Sequence, residues 1–514
     1  MSINQEQVLI LDYGSQYTQL IARRCREEGV LSYIERWDIP LAEIKKLKPI
    51  GIILSGGPSS VYDGNTPRRI EDLSELEIPI LGICYGMQLM TRSSGGTVES
   101  SPRREYGRAV VNLRSGSRLL AGLEPEEHVW MSHGDHVTSI PDGWLQTAVS
   151  DSGVIAAIEH PTKDYFGVQF HPEVSHTLSG AKIIRNFLYN ICDAAGGWSM
   201  GSFARQTIEE MRKKVGEERV ICAFSGGVDS AVAATLLHKA IGNQLRCVLV
   251  DNGLMRKNEA EDVRKFFGKR FGESLIVVDA SKEFLEDLKG VVDPEKKRKI
   301  IGHRFIDVFL EEAKKFKGAK YLLQGTLYPD VIESAQSHGP AAVIKTHHNV
   351  GGLPAKLGID LLEPVRDLFK DEVRQVGREL DLPDQVVMRH PFPGPGLAVR
   401  IVGDITAEKV KILQDADAIF IEELRNADWY HKVSQALAVL LPIYSVGVMG
   451  DARTYEQVIA LRSVDTRDFM TADFSPLPHG LLARISSRIT GEVRGINRVV
   501  YDVTSKPPGT VEWE

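Results

Sequence analysis

Cysteine is scarce. Five are scattered over 514 residues, at Cys25, Cys84, Cys192, Cys222 and Cys247, and an odd, dispersed set supports neither a disulfide framework nor a CxxC metal site. Long apolar runs are missing as well. The stretch ALAVLL stops at Pro442, far short of a membrane span. The opening MSINQEQ has no basic segment followed by an apolar core, so no signal peptide is visible. A surplus of positive charge is also lacking: 62 Lys and Arg face 69 Asp and Glu, for a formal net charge of −7. That is not the footprint of a dedicated nucleic-acid binder, although a local basic groove survives the test. Internal repeats and low-complexity tracts are absent. A cytoplasmic protein with no nucleic-acid partner and no membrane partner is expected.

What is present is an ordinary globular balance, 43% hydrophobic and 25% charged, with length for about three or four domains at roughly 150 residues each. VLILDYG, GIILSGGP and IPILGIC are apolar runs ending in glycine or a polar turn, the pattern of buried parallel strands with function on the loops at their C-terminal ends. QLIARRCREEG between the first two reads as a crossover helix stopped by Gly29. Ala194-Ala195-Gly196-Gly197 is a plausible linker. A second α/β unit opens with VICAF, SGGVDS and the helical AVAATLLHKAIG, and continues through the strands RCVLVDNG and SLIVVDA. The prolines and glycines of HPFPGPG, from His390 to Gly396, mark a boundary or a shaped loop. The expected fold is α/β: two doubly wound parallel-sheet domains, 1–198 and 199–389, followed by a small α+β domain, 390–514.

Gly82-Ile83-Cys84-Tyr85-Gly86 sets a cysteine between glycines, after a strand and before a helical run. Nucleophile elbows are built this way, with glycines permitting the sharp turn. A cysteine at a helix N-terminus gains thiolate character from the dipole. The bland alternative is a buried cysteine acting as a small hydrophobe. His171-Pro172-Glu173 follows the apolar run FGVQF. Residues i and i+2 of an extended segment share a face, so Glu173 can orient the His171 imidazole that deprotonates Cys84. Alone this tripeptide is a weak signal and reads as a surface turn. Gly56 and Gly57 allow a backbone N–H to approach a substrate oxygen, and with the N–H of Tyr85 they can form an oxyanion hole.

LDYGSQY, LSGGPSSVY, GICYGMQ, MSHGD and GVQFHPEVSHT together closely resemble the class I glutamine amidotransferase domain. The resemblance implies that Cys84, His171 and Glu173 form a triad releasing ammonia from glutamine through a γ-glutamyl thioester. It also implies Gly57 for the oxyanion hole, and Gln88 with Ser132, His133, Gly134 and Asp135 for holding the glutamine.

Ser225-Gly226-Gly227-Val228-Asp229-Ser230 joins a strand to a helix, where backbone N–H groups make an anion cradle. No G-K-[ST] follows, so this is not a Walker A loop. The alternative is a Gly-rich turn capped by Asp229 or Ser230. SGGVDS is, however, similar to the signature of the ATP pyrophosphatase family, with its adenine nucleotide alpha-hydrolase-like fold. That resemblance implies a β,γ-pyrophosphate bound here and an oxygen activated by adenylation. Asp229 is then a natural Mg²⁺ ligand. Val250, in VDNG, sits where the adenosine end would lie. Gly325 and Thr326 fall near the nucleotide, with Asp330 and Glu333 as further carboxylates for magnesium. Lys345, His347 and His348 have the composition of a lid over phosphates, or of a solvated loop. In EKKRKIIGHRF the charge run is ordinarily a solvated helix face, but Arg298 or Arg304 can instead meet a nucleotide phosphate.

HPFPGPGLAVR, ADAIFIEELR, SVGVMGDAR and the terminal SKPPGTVEWE resemble the glutamine-hydrolysing GMP synthetase family, whose likeness runs the length of the chain. The resemblance implies a homodimer that uses glutamine, ATP, Mg²⁺ and XMP, with Lys506 and Glu512 on XMP and the last domain serving dimerisation. Read alone, Lys506 and Glu512 are a charged tail, though Trp513 offers an aromatic anchor for it. Another adenylating enzyme, such as NAD synthetase or a tRNA-modifying enzyme, and a nucleotide-sensing pseudo-enzyme are the alternatives. The EWE tail opposes the first and the intact triad and loop oppose the second.

Overall fold

The computed structural model describes residues 6–62, 73–336, 358–466 and 471–514. The chain divides into two compact units, Met1–Ser202 and Phe203–Glu514.

In the first unit the apolar runs become β1 (Gln7–Asp12), β2 (Leu31–Arg36), β3 (Gly51–Leu54) and β4 (Ile80–Ile83). They are followed by β5 (Thr97–Leu113), β6 (Glu126–Ser139), β7 (Leu145–Ser150), β8 (Ile155–Glu159) and β9 (Tyr165–Val168). The nine strands form one sheet in the order β2-β1-β3-β4-β9-β8-β7-β5-β6. Strands β2, β1, β3, β4 and β9 are parallel. All residues of β3 and β4 are buried, as strands covered on both faces must be. The expected parallel sheet thus carries a further antiparallel part, in which the long β5–β6 ribbon forms the edge. That ribbon brings MSHGD to the end of the parallel sheet where β4 delivers Cys84.

In the second unit β10 (Arg219–Ala223), β11 (Leu245–Asp251), β12 (Leu275–Asp279), β13 (Ala319–Leu323) and β14 (Asp360–Leu362) make an all-parallel sheet. Its order is β12-β11-β10-β13-β14, so the chain reverses direction across the sheet between β10 and β13. A crevice opens beyond the carboxyl ends of two such strands. SGGVDS follows β10 there and Gly325-Thr326 follows β13.

The C-terminal part combines the helices Ala407–Asn426 and His479–Glu492 with β15 (Gln435–Met449), β16 (Ala452–Asp465), β17 (Asp473–Phe474) and β18 (Ile496–Tyr501). β15 and β17 are antiparallel to β16, whereas β18 is parallel to it. The apolar run ends at Pro442 but the strand does not. Leu441 pairs with Val458 and the ladder resumes at Tyr444 with Gln457, because proline has no N–H to give. One buried cluster runs from Ile221 and Val248 of this second sheet through Leu397, Leu413 and Phe420 to Leu440 and Ile485.

Candidate active sites

Cys84 directly follows β4 with φ +50°, a conformation that costs a side-chain-bearing residue energy and marks functional turns. Glycines make the turn possible. A β-carbon on Gly82 would lie 2.6 Å from the Gly86 backbone, and one on Gly86 would strike the Leu54 carbonyl. The helix Tyr85–Ser93 starts immediately after Cys84, so its positive end faces the thiol.

Strand β9 lies beside β4, and the Cys84 N–H donates to the Val168 carbonyl at 2.7 Å. Three residues further on, His171 is buried with its Nδ1 2.7 Å from Glu173 Oε1. Burial opposes protonation of His171, but the Glu173 charge and the hydrogen bonds with Cys84 and Glu173 outweigh it and hold the imidazole well above its usual pKa. Glu173 is fully buried and its Oε2 has no hydrogen-bond partner among the described residues. Its carbonyl accepts from Arg24 Nε at 3.0 Å. The Tyr17 ring meets the imidazole edge-on at 5.0 Å.

Gly56 lies against this imidazole, since a β-carbon there would come 3.2 Å from His171 Cε1, while Gly57 backs onto the Tyr13 carbonyl. Tyr85 is buried. The Cys84 thiol donates to the Ser132 carbonyl at 3.7 Å, and Gln88 Nε2 donates to the Asp135 carbonyl at 2.7 Å. Ser132 and Asp135 therefore converge on Cys84 and Gln88, with Gly134 between them on β6. His133 turns to Glu105 instead, at 3.1 Å. Burial lowers the His133 pKa and Glu105 partly offsets this. Glu105 was not signalled by the sequence, nor was Gln169, whose Nε2 lies 3.6 Å from Cys84 Sγ.

The second unit builds its centre on SGGVDS. Gly226 has φ +71°, and a β-carbon there would lie 2.9 Å from Val263. Ser225 Oγ accepts from the Gly227 N–H at 3.2 Å and sits 2.9 Å from Ser230 Oγ, which donates to the Gly227 carbonyl at 3.0 Å. Val228, Asp229 and Ser230 form the first turn of the helix Val228–Ile241, whose N–H groups lack helical partners and face outward. Gly325 packs on the loop, for a β-carbon there would come 3.0 Å from the Asp229 backbone. Thr326 donates to Glu363 at 2.6 Å, and Asp330 accepts from the Leu327 N–H at 3.0 Å. Val250 is buried in β11.

Two cations at this loop escaped the sequence reading. Lys370, first residue of the helix Lys370–Glu379, donates to both Asp229 oxygens at 2.7 and 2.5 Å. Arg389 donates to the Gly226 carbonyl at 3.3 Å and pairs with Glu259. Burial pushes Arg389 down to about 10. LFKDEVR was available as a motif but nothing local ties it to Asp229. Lys345, His347 and His348 lie outside the described residues.

The chain end is held by buried cations. Arg400, fully buried, gives two parallel bonds to Glu512 at 2.9 and 2.8 Å, and Gln435 adds a third at 2.9 Å. Fully buried Lys297 pairs with the Glu514 side chain, and Arg298 donates to Glu514 O at 2.6 Å. Arg304 is not at the tail: it pairs with Asp287 at 2.6 and 2.9 Å. Lys506 exchanges backbone bonds with Ala472 at 2.7 and 3.0 Å. Trp513 is not the expected apolar anchor. It stays 41% exposed and donates Nε1 to Asp502 at 3.1 Å, whereas buried Arg462 takes the Thr510 and Val511 carbonyls at 2.9 and 3.0 Å.

A mixed sheet whose parallel part leads into this cysteine elbow defines the first unit as a class-I glutamine amidotransferase, and that family matches residues 9–191. Residues 218–274 match the tRNA methyl transferase HUP domain, and residues 422–513 the GMP synthase C terminal domain. Three curated relatives match end to end, all carrying the name GMP synthase [glutamine-hydrolyzing]. Those of Brachyspira hyodysenteriae (55% identical, 100% of both chains) and Aquifex aeolicus (55%, 99% of both) are joined by that of Vibrio atlanticus (53%, covering 100% of this chain and 99% of the relative). The chain belongs to the family of glutamine-hydrolysing GMP synthases.

Proposed function

We propose that the chain makes GMP from XMP with ammonia drawn from glutamine, and that the residues above divide the work. The carrying observation is the linked set Cys84, His171 and Glu173, buried at the end of β4 and β9. His171 takes the thiol proton, and the Cys84 thiolate attacks the side-chain carbonyl carbon of glutamine. The oxyanion is met by backbone N–H groups near Gly57 and Tyr85. His171 then protonates the departing ammonia, leaving a γ-glutamyl thioester. The same imidazole deprotonates the water that releases glutamate. Gln88 and the Ser132–Asp135 strand hold the substrate.

In the second unit the O2 oxygen of XMP attacks the α-phosphorus of ATP and pyrophosphate departs. Ammonia then adds at C2 and AMP leaves, giving GMP. The SGGVDS loop cradles the leaving pyrophosphate, with Gly325, Thr326 and Val250 on the nucleotide. Among the described residues no cluster of three or more His, Cys, Asp or Glu forms a protein metal cage. Asp229 and Asp330 would hold a magnesium ion at this loop, with Asp229 sharing its carboxylate between the ion and Lys370. When bound, that ion supplies charge neutralisation at the pyrophosphate. Lys506, Glu512, Arg298 and Arg304 serve XMP. Segments 1–198, 199–389 and 390–514 are the functional divisions.

We also propose a cytoplasmic homodimer. No described helix is long and apolar enough to cross a membrane. Tyr444, Val446, Val448 and Tyr455 of the β15–β16 ribbon are each at least 45% exposed, an apolar patch of the kind that partners cover. Sedimentation reports the mass. Incubation with glutamine, XMP, ATP and Mg²⁺ tests the reaction: GMP and AMP must appear together, and ADP in place of AMP overturns the adenylation.

A further inference from the structure

Gln169 is fully buried one residue beyond β9, between the strand and the triad histidine. Its backbone N–H is fixed on the Ala156 carbonyl at 2.9 Å. An amide side chain has a donor end and an acceptor end, and which end faces the thiol decides what it can do. Two contacts settle the polarity. The Asp135 carbonyl can only accept, so the Gln88 group 2.7 Å from it is the nitrogen. That nitrogen lies 3.3 Å from the Gln169 amide, which must present its oxygen to receive a hydrogen. The Gln169 nitrogen consequently faces Cys84 Sγ, at 3.6 Å.

We propose that Gln169 is a further catalytic residue of the glutaminase centre: its N–H donates to Cys84 Sγ and favours the thiolate over the thiol. The need for such a donor follows from the thiol's other neighbour. The Ser132 carbonyl, 3.7 Å away, accepts from the thiol and can offer nothing to the anion. Once the proton has moved to His171, the carbonyl dipole opposes the thiolate, while Gln169 and the helix N-terminus support it. The titratable groups at the sulfur are His171 and, behind it, Glu173 on the chain after β9, while His133 on the β5–β6 ribbon is turned to Glu105. None of them supplies a neutral N–H to sulfur in fixed orientation. Gln169, His171 and Glu173 lie within five residues of the bend and turn that follow β9, so one short segment delivers donor, base and orienter to the same centre.

This inference rests on Cys84 being the nucleophile, and the experiment separates the two. Glutamine hydrolysis and Cys84 alkylation by iodoacetamide are followed against pH for Gln169→Met and Gln169→Glu, with near-UV circular dichroism to verify folding and Cys84→Ala as control. Both variants keep the side-chain length and lose the donor. Expected is a shift of the acidic limb upward by about one pH unit, hence about tenfold slower hydrolysis and alkylation below it. Glutamate at this position is expected to shift it further than methionine, since it adds a like charge. A folded variant with the wild-type limb overturns the proposal. Should neither variant fold, Gln169→Asn, which draws the amide back from the sulfur by one methylene, must move the alkylation limb the same way; an unmoved limb there overturns it equally. Glutamine-dependent GMP formation by Cys84→Ala would instead overturn the nucleophile reading itself.

Discussion

Lys370 Nζ holds both carboxylate oxygens of Asp229, at 2.7 and 2.5 Å, across 141 residues of sequence. The lysine begins one helix and the aspartate lies in the first turn of another, so two positive helix ends and an ammonium converge on the SGGVDS loop. The two helix N-termini suit the pyrophosphate leaving group proposed for this loop, and Lys370 offsets the Asp229 charge that would otherwise repel it.

Lys370→Met is accordingly expected to slow GMP formation about ten- to a hundredfold, the worth of a charged hydrogen bond of about 1.5–3 kcal/mol. The loss must be the same with glutamine and with ammonium as nitrogen source, because the lesion lies after ammonia is made. Asp229→Asn should behave likewise and demand more magnesium for half-maximal rate. Loss confined to the glutamine-driven reaction would remove both residues from the nucleotide centre.

Cys84→Ala has the opposite signature. It should abolish synthesis from glutamine and leave synthesis from ammonium salts, since the synthetase centre needs only ammonia. Parallel initial-rate assays with the two nitrogen sources decide. Equal loss with both contradicts the division of labour between the units.

The two centres were unequally legible in the sequence, for a physical reason. The elbow at Cys84 and the turn at SGGVDS are local: glycine spacing and a strand-to-helix junction suffice to specify them. The alternation from His171 to Glu173 is local as well, and extending it back by two residues would have reached Gln169. Lys370, Arg400, Arg462 and Lys297 were invisible because their partners are 40 to 217 residues away and no periodicity links them. Burying a cation requires a paired anion, and that pairing exists only in the folded chain. The tail was misread for the same reason: Trp513 is the conspicuous letter, yet arginine and lysine side chains from elsewhere do the holding. The antiparallel extension of the first sheet was missed because β5 and β6 alternate polar and apolar residues rather than forming continuous apolar runs.

His390 makes the second unit sensitive to acid. Its Nε2 donates to the Tyr430 carbonyl at 2.8 Å and its Nδ1 accepts from the Ala436 N–H at 3.3 Å, so the neutral ring is satisfied on both sides. Burial, with the nearby charges of Arg256, His431 and Arg425, pushes it down to about 4. The folded pKa lies below the unfolded one, so the stabilisation is present above about pH 6.5 and is lost as pH falls toward 4. Between pH 7 and 4.5 the loss amounts to about 2–3 kcal/mol. Carboxylates contribute to acid lability in both proteins, so the comparison of interest is wild type against His390→Gln. The urea midpoint of the variant should fall less over this interval, and parallel curves would clear His390 of the effect.

The C-terminal tail separates recognition from stability. Glu512 spends its oxygens on Arg400 and Gln435, but a carboxylate can accept about four bonds, so room remains for the N–H groups of a purine. Glu514 is not assigned to XMP: its side chain meets Lys297 and the Gly403 N–H, while Arg298 holds its main-chain O, which substitution of the side chain leaves in place. Glu512→Ala should weaken XMP use about ten- to a hundredfold. It also leaves Arg400 buried without its partner, which costs about 3–5 kcal/mol. Glu514→Ala strands Lys297 in the same way, so the two variants should lose similar stability. Their KM values for XMP should nevertheless diverge, rising steeply for Glu512→Ala and little for Glu514→Ala. AMP release with saturating ATP and ammonium, measured well below each variant's unfolding temperature, reports KM free of the glutaminase. If both variants lose stability and neither changes the KM for XMP, the tail is a clamp on the fold and Glu512 leaves the substrate site.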